Sequence, residues 1–135
     1  MPCLIDTNLL VYALAGSADA EVLARIDSAI ADQAHFSVIT RMELLGWNGH
    51  TPDSRRATEA LLSQLTEIGV TPAIVDAVIA IRSTTTIKLP DAIIAASALV
   101  EHLPLLTRNT DDFKRIANLV VTDPFTSPVT LGSNR

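Results

Sequence analysis

Short apolar runs alternate with longer stretches of helical period along this chain. The runs predict five strands, at residues 2–6, 35–39, 67–70, 104–108 and 118–122. Between and around them, helical patterns occupy residues 9–14, 20–33, 40–47, 55–67, a stretch beginning at Thr71-Pro72, a stretch opening at 89–91, and 111–116. Because strands alternate with helices, the pattern favours an α/β sandwich around a central parallel sheet of about five strands flanked by helices.

Helix-breaking and turn-forming residues lie at the boundaries that this division predicts. Gly16 and Ser17 break the first helical pattern, and Gly46 or Gly49 is expected to end the third. The segment 123–135 is rich in Pro, Ser and Thr and is predicted to be a surface tail. With no repeat and no linker, residues 1–135 are expected to form a single domain.

Composition and charge exclude several classes of protein. Hydrophobic residues make up 48% of the chain, which is typical of a globular domain, and the net charge of −5 argues against a nonspecific nucleic-acid binder. The single cysteine, Cys3, cannot form an internal disulfide, which favours a reducing, cytoplasmic setting. No secretory signal is visible, and the longest apolar stretch, residues 92–100, is too short to span a bilayer.

Four acidic residues share one position in the pattern. Asp6, Glu43, Asp91 and Asp112 each lie where an apolar run gives way to a helix. The carboxyl ends of parallel strands meet at one edge of the sheet, which is where ligands bind in such folds. Two like charges ~4 Å apart cost roughly 4 kcal/mol at an effective dielectric near 20. We therefore expect a divalent metal to hold these carboxylates together.

Each acid also has a purely structural explanation. Glu43 is spaced from Thr40 as in a capping box, in which Glu bonds back to the first residue of the helix. Residues 109–112 repeat that pattern more weakly. Asp91 follows a proline in a first turn, where the helix dipole favours an acid, and Asp6 could serve only as an N-cap. These roles and a metal site are compatible, because helix N-termini position carboxylates.

The chemistry that remains is metal-assisted hydrolysis. Ligands that offer only oxygen suit Mg²⁺ or Mn²⁺. The three histidines show no metal-ligand spacing; they are His35, His50 and His102. Neither a Gly-rich phosphate loop nor a Ser-His-Asp set is present in the sequence. The acids therefore point to attack of activated water on a phosphodiester.

Four segments of the chain resemble the motifs of a PIN domain. They are Leu-Ile-Asp-Thr-Asn at 4–8, Thr-Arg-Met-Glu-Leu at 40–44, Lys-Leu-Pro-Asp-Ala-Ile-Ile-Ala-Ala at 88–96, and Leu-Thr-Arg-Asn-Thr-Asp-Asp-Phe at 106–113. The similarity is strongest to VapC toxins of bacterial toxin–antitoxin modules and continues through residues 118–125.

The resemblance implies a PIN-like, Rossmann-type three-layer sandwich with strand order 3-2-1-4-5. It also implies a Mg²⁺- or Mn²⁺-dependent endoribonuclease that cleaves RNA and inhibits translation. The implied partners are a second copy of the chain in a homodimer and a cognate VapB-type antitoxin, whose C-terminal segment enters the active-site groove. Operator DNA would be bound only through the antitoxin, and no membrane is involved.

Matched to the family's motifs, Asp6, Glu43 and Asp91 are expected to be catalytic metal ligands. Asp112 fits the fourth position best; Asn109 stands where some relatives carry an acid, and Asp111 is expected to be a solvated neighbour. Further candidate residues surround this set.

Three polar side chains are expected either to orient the carboxylates by hydrogen bonds or simply to cap, with capping favoured: Thr7, Asn8 and Thr107. Three basic residues flank the acids and are predicted either to contact RNA phosphate or to be surface charges: Arg41, Lys88 and Arg108.

Two other functions compete with the ribonuclease hypothesis. One is a catalytically silent PIN-like binding scaffold, against which the presence of all four acids argues. The other is a haloacid-dehalogenase-like phosphatase, in which a second aspartate is expected two positions after the first. Asn8 stands there instead.

Overall fold

The computed structural model describes residues 2–16 and 19–125. The strands are β1 (Leu4–Ile5), β2 (His35–Ser37), β3 (Thr66–Ile68), β4 (Leu105–Leu106) and β5 (Val121–Thr122). The helices are α1 (Thr7–Ala15), α2 (Ala20–Ala31), α3 (Val38–Leu45), α4 (Pro52–Ser63), α5 (Pro72–Thr84), α6 (Leu89–Val100) and α7 (Thr110–Phe113).

The five strands form one parallel sheet in the order β3-β2-β1-β4-β5. The central strand β1 pairs with two neighbours, so that Leu4 lies opposite both His35 and Leu105. The predicted fold class and strand order are thus confirmed. Since all strands run the same way, the residues that follow them emerge at one edge of the sheet.

Helices cover both faces of the sheet because side chains alternate along each strand. Leu4 and Leu105 pack into a cluster with apolar residues of α5, α6 and α7. The next residues, Ile5 and Leu106, pack into a second cluster with residues of α1, α2, α3 and α4. The result is a three-layer sandwich with two separate apolar cores.

Helix α6 lies deep in the first of these cores. Ala92 and the run Ile94–Ala98 are buried, as the nearly uncharged sequence of this helix predicts. Pro90 lies in its first turn, where a proline costs no hydrogen bond. In the part of the chain that the structure describes, no helix is both long and apolar enough to cross a membrane.

The boundary between β2 and α3 was wrong in the sequence prediction. Val38 and Ile39 were expected to end the second strand, but they begin α3. The reason is Ser37, whose side-chain oxygen accepts a hydrogen bond of 3.1 Å from the backbone N–H of Ile39 and so caps the helix. Consequently Thr40 and Glu43 lie inside α3, and the capping box predicted for them does not exist.

Other helix ends follow their local sequence. Gly16 closes α1 in the left-handed region, with φ of 66°, a conformation that costs glycine nothing. Gly46 follows the last residue of α3, as expected. Helix α4 begins earlier than predicted, at Pro52, because Thr51 and Ser54 exchange hydrogen bonds in a capping box.

Of the predicted surface tail, only residues 123–125 are described. Pro124 is buried, and the ring of Phe125 meets that of Tyr12 edge to face at a centroid distance of 5.2 Å. Arg25 of α2 donates a hydrogen bond to the carbonyl of Pro124. This stretch is therefore packed against α1 and α2, whereas residues 126–135, like Ser17, lie outside the described residues.

Candidate active site

The four predicted acids come from four elements that meet at the carboxyl edge of the sheet. Asp6 directly follows β1, Glu43 lies in α3, Asp91 in the first turn of α6, and Asp112 in α7. Their charges act on one another: Glu43 and Asp112 raise the pKa of Asp6, and all three of these acids raise the pKa of Asp91. The sheet therefore brings the predicted set into one electrostatic cluster.

Asp6 is the buried centre of this cluster, with only 4% of its surface exposed. Burial is the main cause that raises its pKa, and the nearby acids add to it. Two donors act in the opposite sense: the hydroxyl of Thr107, 2.8 Å from Oδ2, and the backbone N–H of Thr7. The side chain makes no capping hydrogen bond to α1, so capping does not account for this acid.

Asp91 is half-buried, and its pKa is also raised, first by burial and then by Asp6, Asp112 and Glu43. Among the described residues, the charge that opposes this shift is Lys88, which lowers the pKa of Asp91. Its place in the first turn of α6 agrees with the helix-dipole explanation as well. The dipole can thus hold this carboxylate among three other acids.

Glu43 is held by a pair of hydroxyl groups, of which the sequence motifs indicate Thr7 but not Thr40. Thr7 donates a hydrogen bond of 2.8 Å to Oε1 of Glu43, and its oxygen also lies 2.8 Å from Oγ1 of the buried Thr40. Thr40 precedes Glu43 by three residues, so both lie on one face of α3. The same spacing is found in a capping box, so the sequence alone does not distinguish that role from a contact beside the site.

The fourth corner of the cluster is built on the turn before α7. The backbone N–H of Asn109 donates to Oγ1 of Thr107 at 2.9 Å, and its side-chain amide donates to Oδ2 of Asp112 at 2.5 Å. Asp111 is paired with Lys114, at 2.9 Å. Because Asp112 and not Asp111 acts on the pKa of Asp6 and Asp91, Asp112 is the acid that joins the cluster.

The hydrogen bonds of Thr7 and Thr107 correct the preference for capping alone, since both donate to the predicted carboxylates. Asn8 is exposed and lines the groove beside Asp6. Thus two of the three polar neighbours position the acids through direct contacts.

The three predicted basic residues have different surroundings. Arg41 is paired with Glu67, with Nε 2.6 Å from Oε1. The guanidinium of Arg108 lies over the ring of Phe125, 4.3 Å from its centroid. Lys88 forms no ion pair with any residue in 2–16 or 19–125, and it is the only one of the three that acts on the pKa of Asp91.

Two grooves meet at Asp91. The first, of about 1140 Å³, runs between residues 83–88 and residues 109–116, and we call it the polar groove. The second, of about 690 Å³, we call the apolar groove. It passes Asp6 and Glu43 and is lined on its far side by side chains of α1, α3 and α4 together with Trp47.

A metal at this edge would meet a suitable set of donors, all of them carboxylate oxygens. None of the four acids forms an ion pair with another described residue, so among these residues their repulsion is offset only in part, by Lys88 near Asp91 and by hydrogen-bond donors. As they stand, no three Asp, Glu, His or Cys side chains among residues 2–16 and 19–125 converge closely enough to hold an ion. The donor chemistry fits a hard cation, and the exposed Glu43 and Asp112 would have to turn inward to complete the site.

The PIN domain family matches residues 3–119, a stretch that contains all four acids. The chain belongs to the PIN-domain family. This decides against the haloacid-dehalogenase-like alternative. A curated relative of this PIN domain, the ribonuclease VapC of Rickettsia bellii (strain RML369-C), is 30% identical over 132 residues, covering 90% of this chain and 95% of the relative.

Solved structures give the same assignment. A toxin–antitoxin complex from Klebsiella pneumoniae contains a chain that is 31% identical to this PIN domain, with a TM-score of 0.73 and coverage of 93% and 99%. A chain of VapBC-1 from nontypeable Haemophilus influenzae is 26% identical, with a TM-score of 0.80 and coverage of 93% and 100%. VapBC2 from Rickettsia felis, solved with a promoter DNA fragment, shares the fold at a TM-score of 0.79 and 24% identity.

Proposed function

We propose that this PIN domain is the toxin of a VapBC-type toxin–antitoxin module in the cytoplasm. It cleaves RNA as a metal-dependent endoribonuclease and thereby inhibits translation. The family match and the VapC relative support a nuclease, and the uncompensated acid cluster supports the metal. The observation that carries the proposal concerns Asp6 and Asp91. The charges of Glu43 and Asp112 act on both of these acids and help to raise the pKa of each.

Asp6, Glu43, Asp91 and Asp112 are the residues that would hold Mg²⁺ or Mn²⁺. The ion, when bound, supplies an activated water and neutralises charge on the departing oxygen. The chain's own contribution is to position these carboxylates. Thr107 fixes one oxygen of Asp6, Thr7 fixes one oxygen of Glu43, and Asn109 fixes one oxygen of Asp112.

The apolar groove supports the assignment of an antitoxin as partner. Three apolar side chains along it are exposed: Val11 by 47%, Leu14 by 36% and Trp47 by 59%. Groups of exposed apolar side chains beside a polar site are typical of protein-binding surfaces. A VapB-type segment lying there would pass directly over Asp6 and Glu43 and block the site, and binding of operator DNA would fall to the antitoxin.

A second apolar surface is available for a homodimer. Val75 and Ile79, one turn apart on the outer face of α5, are both exposed, and Ile79 is exposed by 63%. We assign this face to contact between two copies of the chain, away from both grooves.

The proposal is tested by incubating the purified protein with structured and unstructured RNA. Cleavage with Mg²⁺ or Mn²⁺, its loss in EDTA and its return on adding metal are the expected results. Sequencing of RNA 5′ ends after induced expression identifies the target. An intact RNA pool under all metal conditions would favour the silent scaffold, and cleavage that resists EDTA would point to a different chemistry.

A further inference from the structure

The polar groove brings three basic side chains beside three acids, Asp91, Asp111 and Asp112, on a chain that is acidic as a whole. Lys88, Lys114 and Arg115 line it, which is three of the ten Lys and Arg residues in a chain of net charge −5. Lys88 lies on one wall, directly before α6, and the other two lie on the opposite wall, directly after α7. Cations on both walls are suited to a chain of phosphates passing between them.

These cations are available to a ligand. Lys88 and Arg115 form no ion pair with any residue in 2–16 or 19–125, and both are exposed. Lys114 pairs only with Asp111, and both partners are largely exposed, at 61% and 83% for the side chains. An exposed pair of this kind is worth about 0–1 kcal/mol, so a phosphate can replace the carboxylate at little cost.

The hydroxyl groups of the groove do not compete with the cations for this role. Ser83, Thr84 and Thr85 donate their hydroxyl hydrogens to backbone carbonyls of the last turns of α5. Each hydroxyl has one hydrogen to give, so these three offer only acceptor oxygens to a ligand. Of the groove's four hydroxyl groups only that of Thr86 remains as a donor, so binding of an anion in the polar groove depends mainly on the basic side chains.

The apolar groove, in contrast, lacks such groups. Within the described residues its lining includes no Lys or Arg, whereas it includes Asp6, Glu43 and Asp91. A polyanion there would meet three carboxylates with no basic side chain to offset them, whereas the polar groove has a basic residue for each of its three acids. Of the two grooves that reach Asp91, only the polar groove offers basic side chains to RNA phosphate.

We propose that the RNA strand reaches the four acids through the polar groove, with its phosphates bound by Lys88, Lys114 and Arg115. The inference rests on the proposed ribonuclease function. It replaces Arg41 and Arg108, neither of which lines the polar groove, by two residues that the sequence motifs did not indicate. When a metal offsets the charges of Asp91 and Asp112, the acid that remains along the groove is Asp111. The three basic side chains then outnumber it.

The test measures RNA binding apart from cleavage. In an Asp6→Asn background, which removes an acid outside the polar groove, a labelled single-stranded RNA is titrated with protein by fluorescence anisotropy at several salt concentrations. Lys114→Ala with Arg115→Ala should raise the Kd about tenfold or more and reduce the slope of log K against log salt by about 1.4, since each lost contact to a single strand contributes about 0.7.

A matched control lies on α4. Arg55 and Arg56 are also adjacent and exposed, and they lie outside the polar groove. Both are paired with acids, Glu59 and Asp53, as Lys114 is with Asp111. Replacing both by alanine changes the net charge equally, yet the Kd should shift by less than about twofold and the slope should remain. Lys114→Arg with Arg115→Lys should keep the binding and shows that the fold tolerates change here.

Equal weakening by the two double variants would overturn the proposal, because it would mean that RNA responds only to net charge. So would an unchanged Kd in the Lys114 and Arg115 variant, or no RNA binding at all. Failure of the proposed function is a separate result: wild-type protein that binds RNA through these residues but cleaves none with Mg²⁺ or Mn²⁺ refutes the enzyme and not the groove.

Discussion

Thr107 donates a hydrogen bond of 2.8 Å to Oδ2 of Asp6 from 101 residues further along the chain. The contact joins the residues that follow two adjacent strands, β1 and β4. Thr107 Oγ1 also accepts from the backbone N–H of Asn109, which directs the one hydroxyl hydrogen towards Asp6. The orientation of the buried carboxylate is therefore set by the neighbouring strand end.

Replacing Thr107 by valine keeps the shape of the side chain and removes this donor. Cleavage and the affinity for Mn²⁺ should each fall about 10- to 100-fold, as for other groups that orient metal ligands. Metal affinity is measured by titration calorimetry and cleavage with a labelled RNA. Thr107→Ser is the control, because it retains the hydroxyl. Normal metal affinity in the valine variant would refute the positioning role.

Asp6→Asn and Asp91→Asn should each lower cleavage by at least about 1,000-fold, since a metal ion contributes several kcal/mol to such a reaction. Asp111→Asn is a matched control. This acid lies next to Asp112 in sequence but pairs with Lys114, so its loss should change the rate by less than about threefold. Full activity in either site variant would contradict the metal assignment, and a large loss in Asp111→Asn would reopen the choice of fourth acid.

The raised pKa values of Asp6 and Asp91 predict how stability without metal depends on pH. Because the folded state binds the proton more tightly than the unfolded state, the free energy of unfolding falls as pH rises from the ordinary carboxyl pKa of 3.8 through the raised values. Urea unfolding in EDTA from about pH 4 to about pH 7 should show this loss. The double variant Asp6→Asn, Asp91→Asn should lose less, and an equal decline in both proteins would remove the acid cluster as its cause.

Trp47 should be a main anchor for the antitoxin. Its ring is 59% exposed in the apolar groove, so Trp47→Ala should leave the melting temperature within about 2 °C and weaken antitoxin binding about 30-fold or more, a typical cost for such an anchor. Binding is measured by biolayer interferometry with a VapB-type antitoxin. Val70→Ala, an exposed apolar side chain that lines neither groove, is the control and should bind normally. Equal affinity in both variants would place the antitoxin elsewhere.

The sequence predicted the sheet and its acidic edge because both follow from local patterns. The alternation of apolar runs with helical periods was sufficient for five strands, and an acid directly after an apolar run, such as Asp6, must emerge at a strand end. Helix α6 was equally clear, since Pro90 fits a first turn and the residues after it are almost free of charge.

What the apolar and helical patterns could not supply were the choices made by individual side-chain hydrogen bonds and ion pairs. Val38 and Ile39 are β-branched and resemble a strand, yet the side chain of Ser37 turns them into a helix. Asp111 and Asp112 are adjacent and chemically identical, so only the position of Asn109 and Lys114 separates them. The roles of Thr7 and Thr40 depend on two helices lying side by side, which no single segment encodes.

The hydroxyl of Thr7 has a further consequence. Its single hydrogen is given to Glu43, so the hydrogen in the 2.8 Å contact with Thr40 must come from Thr40. The three side chains form a chain of hydrogen bonds in which Thr40 donates to Thr7 and Thr7 donates to the carboxylate of Glu43. Neither threonine can turn from its acceptor without breaking a hydrogen bond, so the buried Thr40 is tied through Thr7 to the exposed Glu43.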